Sequence, residues 1–269
     1  MNTIDLTVES LSTGYPGRPI IGNLSLGPIR PGEIAAIVGP NAAGKSTLLR
    51  ALAGLLPATG QARLAGKNIL PLPARVRAEM IGFMPQSLPQ TTDLTVLEAM
   101  LSALHLARPS PHDPLAHAID TLAQVGIADI ALQPLHTFSG GQRQLASLAQ
   151  SIVRRPQLLL LDEPTSALDL GHQFDVMRLV RNYVGDDRIA IVVLHDLAFA
   201  ARWADNIIMM ERGALKIAGP PEVAITPEML ARVYGVEARV ERYARGALQV
   251  IVDDRVAASS VPNPPERKL

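Results

Sequence analysis

The 269-residue chain contains no cysteine. A disulfide framework, a thiolate metal site and a cysteine nucleophile are therefore excluded, and the absence suits a reducing compartment. Aromatic residues are scarce at 3%, so the apolar mass is aliphatic, as suits a buried sheet covered by Leu- and Ala-rich helices. Net charge is lacking too. Lys and Arg total 25 and so do Asp and Glu, which leaves no global basic field to hold a polyanion such as DNA. Any phosphate must be gripped locally. No stretch approaches the roughly 18 uninterrupted apolar residues of a membrane span. Met1-Asn2-Thr3-Ile4-Asp5-Leu6 lacks a basic region followed by an apolar one, so neither a signal peptide nor a membrane-spanning chain is expected. Hydrophobic residues, by contrast, are plentiful at 48%, with a mean hydropathy of +0.18. That suffices for one large or two modest domains with a buried core, and excludes disorder as the main state.

From Ile4 to Val38, short apolar runs alternate with turn signals such as Gly14-Tyr15-Pro16-Gly17 and Arg30-Pro31-Gly32, which predicts strands and hairpins. From Lys45 to Leu56 the period becomes helical, with Leu48, Leu49, Leu52 and Leu55 on one face. Residues 61–85 read as short strands and turns. Leu94 to Val125 reads as helix, interrupted by the proline-dense segment Arg108 to Pro114. A helix follows Ser139 to about Arg154, then a fully apolar strand ending at Asp162. A helix over Gly171–Tyr183, a strand over Ile189–Leu194, a helix over Leu197–Trp203 and a strand over Ile207–Met210 complete an alternating β/α core. Residues 221–256 predict a small helix and a hairpin, and 257–269 a disordered, proline-rich tail.

Gly39-Pro40-Asn41-Ala42-Ala43-Gly44-Lys45-Ser46 fits G-x-x-x-x-G-K-S and lies between a predicted strand and a predicted helix. A closely approaching phosphate chain needs unobstructed backbone N–H groups, the positive end of a helix and a cation that reaches the outer phosphates. The glycines, the helix and Lys45 supply these. Ser46 is placed to offer its hydroxyl to Mg²⁺, and Thr47 to hydrogen-bond an inner phosphate. Further along, Leu158-Leu159-Leu160-Leu161-Asp162-Glu163 ends a buried strand on adjacent carboxylates. Successive strand residues point to opposite sides, so Asp162 is expected in the metal shell and Glu163 facing a water that it orients or deprotonates.

Phe138-Ser139-Gly140-Gly141-Gln142-Arg143 precedes a long helix and is a second place where small residues and a helix start are prepared for an anion. With this element the chain resembles the ABC-transporter ATPase family, whose signature reads Leu-Ser-Gly-Gly-Gln. The resemblance runs in family order from residue 4 to about 220. It implies an α/β fold: a P-loop NTPase core with a mixed, mainly parallel sheet and flanking helices, an antiparallel β subdomain and an inserted α-helical subdomain. The implied organisation is one ATPase domain over 1–256, with 1–85 holding the β subdomain and the start of the core. Residues 86–150 are the helical subdomain, 151–220 the rest of the core and 221–256 a small extension.

Site roles follow from the same resemblance. Tyr15 is similar to the aromatic that stacks on adenine. Gln86, in Gly82-Phe83-Met84-Pro85-Gln86, is similar to the glutamine that senses metal and water. Asp169, in Ser166-Ala167-Leu168-Asp169, is similar to the key residue of the loop meeting the partner subunit, and His195 to the histidine contacting the terminal phosphate. The implied ligands are ATP and Mg²⁺. A second copy is implied head to tail, Ser139, Gly140, Gly141 and Gln142 of one subunit completing the phosphate site begun by Lys45 of the other. Two permease subunits are expected to dock in the cleft around Gln86 and Leu94–Leu106, with a substrate-binding protein acting indirectly and no nucleic acid involved. This places the chain peripherally on the cytoplasmic face of the inner membrane. Two departures stand out: Ala42 replaces a usual glycine, which matters only where φ is positive, and Phe138 replaces a leucine while keeping an apolar anchor.

Phe138 to Gln144, Leu168-Asp169-Leu170-Gly171-His172-Gln173 and Val233-Tyr234-Gly235-Val236 are similar to ATPases of importers for ferric siderophores, haem and cobalamin. Three other readings use the same phosphate loop: a soluble ABC ATPase acting on ribosomes or DNA, an ABC importer or exporter ATPase for another cargo, and an unrelated P-loop kinase. The last leaves Ser139 to Gln142 unexplained.

Overall fold

The computed structural model describes residues 4–86, 93–105, 112–243, 246 and 248–256. Its centre is a six-stranded sheet in the order β10-β9-β3-β8-β7-β6, formed by β3 (Ile34–Val38), β6 (Ile81–Met84), β7 (Leu158–Asp162), β8 (Ile189–Val193), β9 (Asn206–Glu211) and β10 (Ala214–Gly219). All neighbours are parallel except β9 and β10. Every residue of β3, β7 and β8 is buried, the pattern of a sheet covered on both faces. The pleat separates the two coverings. Ala35, Ile37, Leu158, Leu160, Ile191 and Val193 face one apolar cluster, while Ala36, Val38, Leu159, Leu161, Ala190 and Val192 face the other.

The first cluster is closed by α1 (Lys45–Leu52) and by a four-stranded antiparallel sheet in the order β2-β1-β4-β5. These strands are β1 (Leu6–Tyr15), β2 (Arg18–Ile29), β4 (Ala58–Leu64) and β5 (Lys67–Asn68). Leu6, Val8, Leu11, Leu48, Leu49 and Leu52 meet there. The second cluster receives α3 (Val96–His105), α4 (Pro114–Val125), α5 (Gly140–Ile152), α6 (Leu170–Val184) and α7 (Leu197–Trp203), with Met100, Leu104, Leu122 and Ile152 among the buried members. Beyond the central sheet come α8 (Pro221–Ala224), α9 (Pro227–Tyr234) and a hairpin of β11 (Val236–Arg242) and β12 (Leu248–Arg255). Among the described residues no helix is long and apolar enough to cross a membrane.

Several boundaries differ from expectation. Residues 61–85 hold a helix, α2 (Ala74–Met80), not only strands and turns. It is too short to show an apolar stripe, and it is anchored by the buried Arg77, whose guanidinium donates to the carbonyls of Ile69, Leu70 and Leu72. The first core helix stops at Leu52, because Gly54 takes a left-handed φ of 72°. Pro114 begins α4, capped by Asp113, instead of closing the preceding loop. The extension carries two helices before its hairpin. The expected tail at 257–269 and part of the proline-dense segment, 108–111, lie outside the described residues.

Candidate active site

Four parallel strands end side by side. Gly39 follows β3 directly, His195 lies two residues past β8, Glu163 follows β7 directly and Gln86 lies two residues past β6. In an open α/β sheet, ligands gather at the carboxyl ends of the strands, so the strand order itself assembles residues that are far apart in sequence.

The loop after β3 is shaped for close backbone approach. Gly39 has φ 147°, and a Cβ there would lie 2.1 Å from the Met210 carbonyl oxygen. Gly44, with φ 97°, precedes α1 with no side chain capping the helix start, so those backbone N–H groups remain available to an anion. Lys45 is only 6% exposed. Its ammonium donates to the carbonyls of Gly39 at 2.7 Å and Pro40 at 2.9 Å. Burial lowers the Lys45 pKa, and the carboxylates of Glu163 and Asp162 oppose that shift. Ala42 sits at φ 62°, so its methyl occupies a conformation that glycine adopts without penalty.

Ser46 donates from its hydroxyl to Asp162 Oδ1 at 2.8 Å. Asp162 is fully buried, and its Oδ2 has no hydrogen-bond partner among the described residues. Burial pushes the Asp162 carboxyl above its ordinary value, with the Ser46 hydroxyl pulling the other way. A buried, unpaired carboxylate oxygen beside a hydroxyl is a hard-oxygen donor pair of the kind Mg²⁺ takes, this ion being bound through one or two carboxylates together with substrate phosphates. The residues therefore fit the metal.

Glu163 is reached by a different geometry from the one expected. It is not a further strand residue facing the opposite side. β7 ends at Asp162 and Glu163 turns at a left-handed φ of 56°, which parts the two carboxylates. Gln86 Nε2 donates to Glu163 Oε2 at 2.9 Å, and His195 Nε2 lies 2.6 Å from Glu163 Oε1. Both carboxylate oxygens are thus held, the His195 side chain being half exposed and that of Glu163 only 13% exposed. A carboxylate fixed in this way can orient and deprotonate a water.

Ser139, Gly140, Gly141, Gln142 and Asp169 are not joined to the phosphate loop by any hydrogen bond or ion pair among the described residues. Ser139 caps α5 in a capping box, its Oγ accepting from Gln142 N at 3.2 Å while Gln142 Oε1 accepts from Ser139 N at 2.9 Å. Phe138 is buried as the expected anchor. Asp169 caps α6, accepting from His172 N at 2.9 Å and lying 2.9 Å from His172 Nδ1. Those two interactions hold the Asp169 carboxyl below its usual range, the backbone N–H first. Tyr15 is 41% exposed and accepts a hydrogen bond from Arg50 at 3.1 Å. Thr47 is buried at the start of α1.

Sequence reasoning assigned no role to Arg50 or Gln144. The signal for Gln144 was a polar residue on the apolar face of α5, where a buried amide must find partners. It donates to Glu163 O at 2.7 Å and accepts from Ala167 N at 3.1 Å.

Residues 22–166 match the family model described as ABC transporter, and the chain belongs to this family. It is an ATP-binding cassette ATPase. Its relatives include a hemin import ATP-binding protein of Gloeobacter violaceus, 34% identical, with 97% of this chain and 98% of that protein covered. A second hemin import ATP-binding protein, from Rhodococcus jostii, is 36% identical over 92% of this chain and 86% of its own length. The ferric enterobactin transport ATP-binding protein of Escherichia coli is 34% identical over 93% and 90%. Among solved structures, a metal-chelate type ABC transporter in an inward-facing conformation shares the fold at TM-score 0.75 and 24% identity, covering 94% of this chain and 97% of that one. A dimeric ATP-binding cassette in a post-hydrolysis state, bound to ADP and phosphate, aligns at TM-score 0.72 and 25% identity over 80% and 98%.

Proposed function

We propose that this chain is the ATP-hydrolysing subunit of a membrane importer for a metal chelate of the haem, ferric-siderophore or cobalamin type. The observation that carries the cargo class is near end-to-end similarity to proteins named for hemin import and ferric enterobactin transport. The phosphate loop from Gly39 to Thr47 holds the triphosphate through its backbone N–H groups and Lys45, and Tyr15 offers its ring to the adenine. Ser46 and Asp162, with Gln86 at the edge of the site, hold Mg²⁺; when bound, the ion neutralises charge on the outer phosphate oxygens. Glu163 takes the proton of the attacking water. Gln86 and His195 fix that carboxylate, and His195 also faces the terminal phosphate.

In this reading two copies pair head to tail, each presenting Ser139, Gly140, Gly141 and Gln142 to the nucleotide of the other, with Asp169 at the contact. Nucleotide binding favours the closed pair and hydrolysis reopens it, a population shift that two permease subunits convert into transport. The working position is the cytoplasmic face of the inner membrane, bound through those subunits. Reconstitution with the co-expressed permease and its binding protein tests this directly. Stimulation of ATP turnover by one of a panel of metal chelates is expected. Co-purification with ribosomes or DNA instead of membrane subunits would refute it.

A further inference from the structure

Gln144 is a polar residue only 6% exposed, so its amide must find partners inside the fold. Its amide nitrogen donates to Glu163 O at 2.7 Å and to Ser166 Oγ at 3.2 Å, and its amide oxygen accepts from Ala167 N at 3.1 Å. The orientation of the amide is unambiguous. The reverse arrangement would set oxygen against the Glu163 carbonyl and nitrogen against the Ala167 N–H, two mismatched pairs. One side chain thus holds three points, at Glu163, Ser166 and Ala167, on the turn after β7.

That turn needs holding. Glu163 adopts a left-handed φ of 56°, a conformation L-residues avoid. Its carbonyl also accepts from Ser166 Oγ at 3.2 Å, while its carboxylate is held by Gln86 and His195. The other end of Gln144 belongs to the first turns of α5, whose start is the Ser139 capping box. Close packing runs alongside: a Cβ on Gly141 would lie 3.0 Å from Leu168 Cδ2, and one on Gly140 3.6 Å from the Ala167 methyl.

We propose that Gln144 is a positioning residue that locks the anion-accepting start of α5 to the peptide of Glu163, so that the two move as one body. Resting on the reading of Glu163 as the water-orienting carboxylate, this makes Gln144 the link by which nucleotide bound against Ser139 by a second copy fixes the geometry of hydrolysis in its own site. The link acts on the origin of the Glu163 side chain and leaves the phosphate loop alone, so it predicts a change in turnover and not in nucleotide binding.

The test compares Gln144→Leu, which removes all three bonds, with Gln144→Glu, which keeps an acceptor for Ala167 N and loses the donor to Glu163 O. Glu163→Gln runs alongside, and steady-state ATP hydrolysis, KM for ATP and thermal unfolding are measured on the full chain. Both Gln144 variants are expected to lose roughly tenfold to a hundredfold in kcat, since misplacing a catalytic group by about 1 Å costs that order, with KM within about twofold. Where Gln144→Leu does not fold, Gln144→Glu alone decides. If both lose their fold, or if kcat falls only together with a matching rise in KM, the role is structural and the inference falls. Near-parental kcat in the Gln144 variants beside an inactive Glu163→Gln overturns this inference only. Near-parental hydrolysis in Glu163→Gln overturns the assignment of Glu163 and the inference with it.

Discussion

The hydroxyl of Ser46 and the carboxylate of Asp162, 116 residues apart in sequence, meet at 2.8 Å. One arrives on the first turn of α1 and the other on the last residue of β7. The hydroxyl occupies only one carboxylate oxygen, leaving Oδ2 buried and without a hydrogen-bond partner among the described residues. The fold itself sets this oxygen pair, at a cost, since an unpaired buried carboxylate is unfavourable.

That cost is readable as pH dependence. Burial raises the Asp162 carboxyl above its ordinary 3.8. Between that ordinary value and the raised one, the folded chain holds a proton that the unfolded chain has released, so stability falls as pH rises through this window. In Asp162→Asn this contribution vanishes. Thermal melts of the nucleotide-free protein from about pH 4 to about pH 7 should show a shallower decline for the variant than for the parent, and its nucleotide binding should lose magnesium dependence. An unchanged slope would remove Asp162 as its source.

Lys45→Ala should weaken ATP binding by about tenfold to a hundredfold, the range of a lost hydrogen bond to a charged group. Lys45 is held by the Gly39 and Pro40 carbonyls, which an incoming phosphate chain replaces with a stronger partner. Calorimetric titration decides, and unchanged affinity would overturn the phosphate-loop assignment.

For Glu163→Gln, ATP binding should persist while hydrolysis falls by about a hundredfold or more, the contribution of a positioned general base. The amide keeps the size of the carboxylate beside Gln86 and His195 but cannot take a proton. ATP should consequently trap this variant as a dimer, visible by light scattering as a doubling of mass.

Ala42→Gly tests a strained position. At φ 62° alanine pays about 1–2 kcal/mol, partly offset by the greater unfolded-state freedom of glycine, about 0.4–1 kcal/mol. The variant should gain roughly 0.5–1 kcal/mol, about 1–4 °C in Tm. A drop in Tm would show that the methyl makes compensating contacts.

Much of the core was legible because its signals are local. β3, β7 and β8 announce themselves as aliphatic runs buried at every residue, and the phosphate loop as glycines fixed by backbone conformation. Helix α2 was not legible, because its stability rests on Arg77 reaching the carbonyls of Ile69, Leu70 and Leu72, a contact with no periodic trace. The parting of Asp162 and Glu163 matches the expectation but has another cause: β7 ends at Asp162, and a turn at positive φ, with no periodic trace in the sequence, redirects Glu163.

By itself the sequence determined the chemistry available: a glycine loop closing on Lys45 and Ser46, adjacent carboxylates at 162 and 163, a capped helix start at Ser139, and no thiol or net charge with which to do anything else. These depend on residue type and short spacing. Only the tertiary structure decided which groups share a site. The order β3-β8-β7-β6 brings Lys45, His195, Glu163 and Gln86 to one sheet edge, because parallel strands joined by crossover helices end on the same side whatever their separation along the chain. The same packing gives the buried amide of Gln144 its partners at Glu163, Ser166 and Ala167, since a buried polar group declares its partners only when the chain is folded.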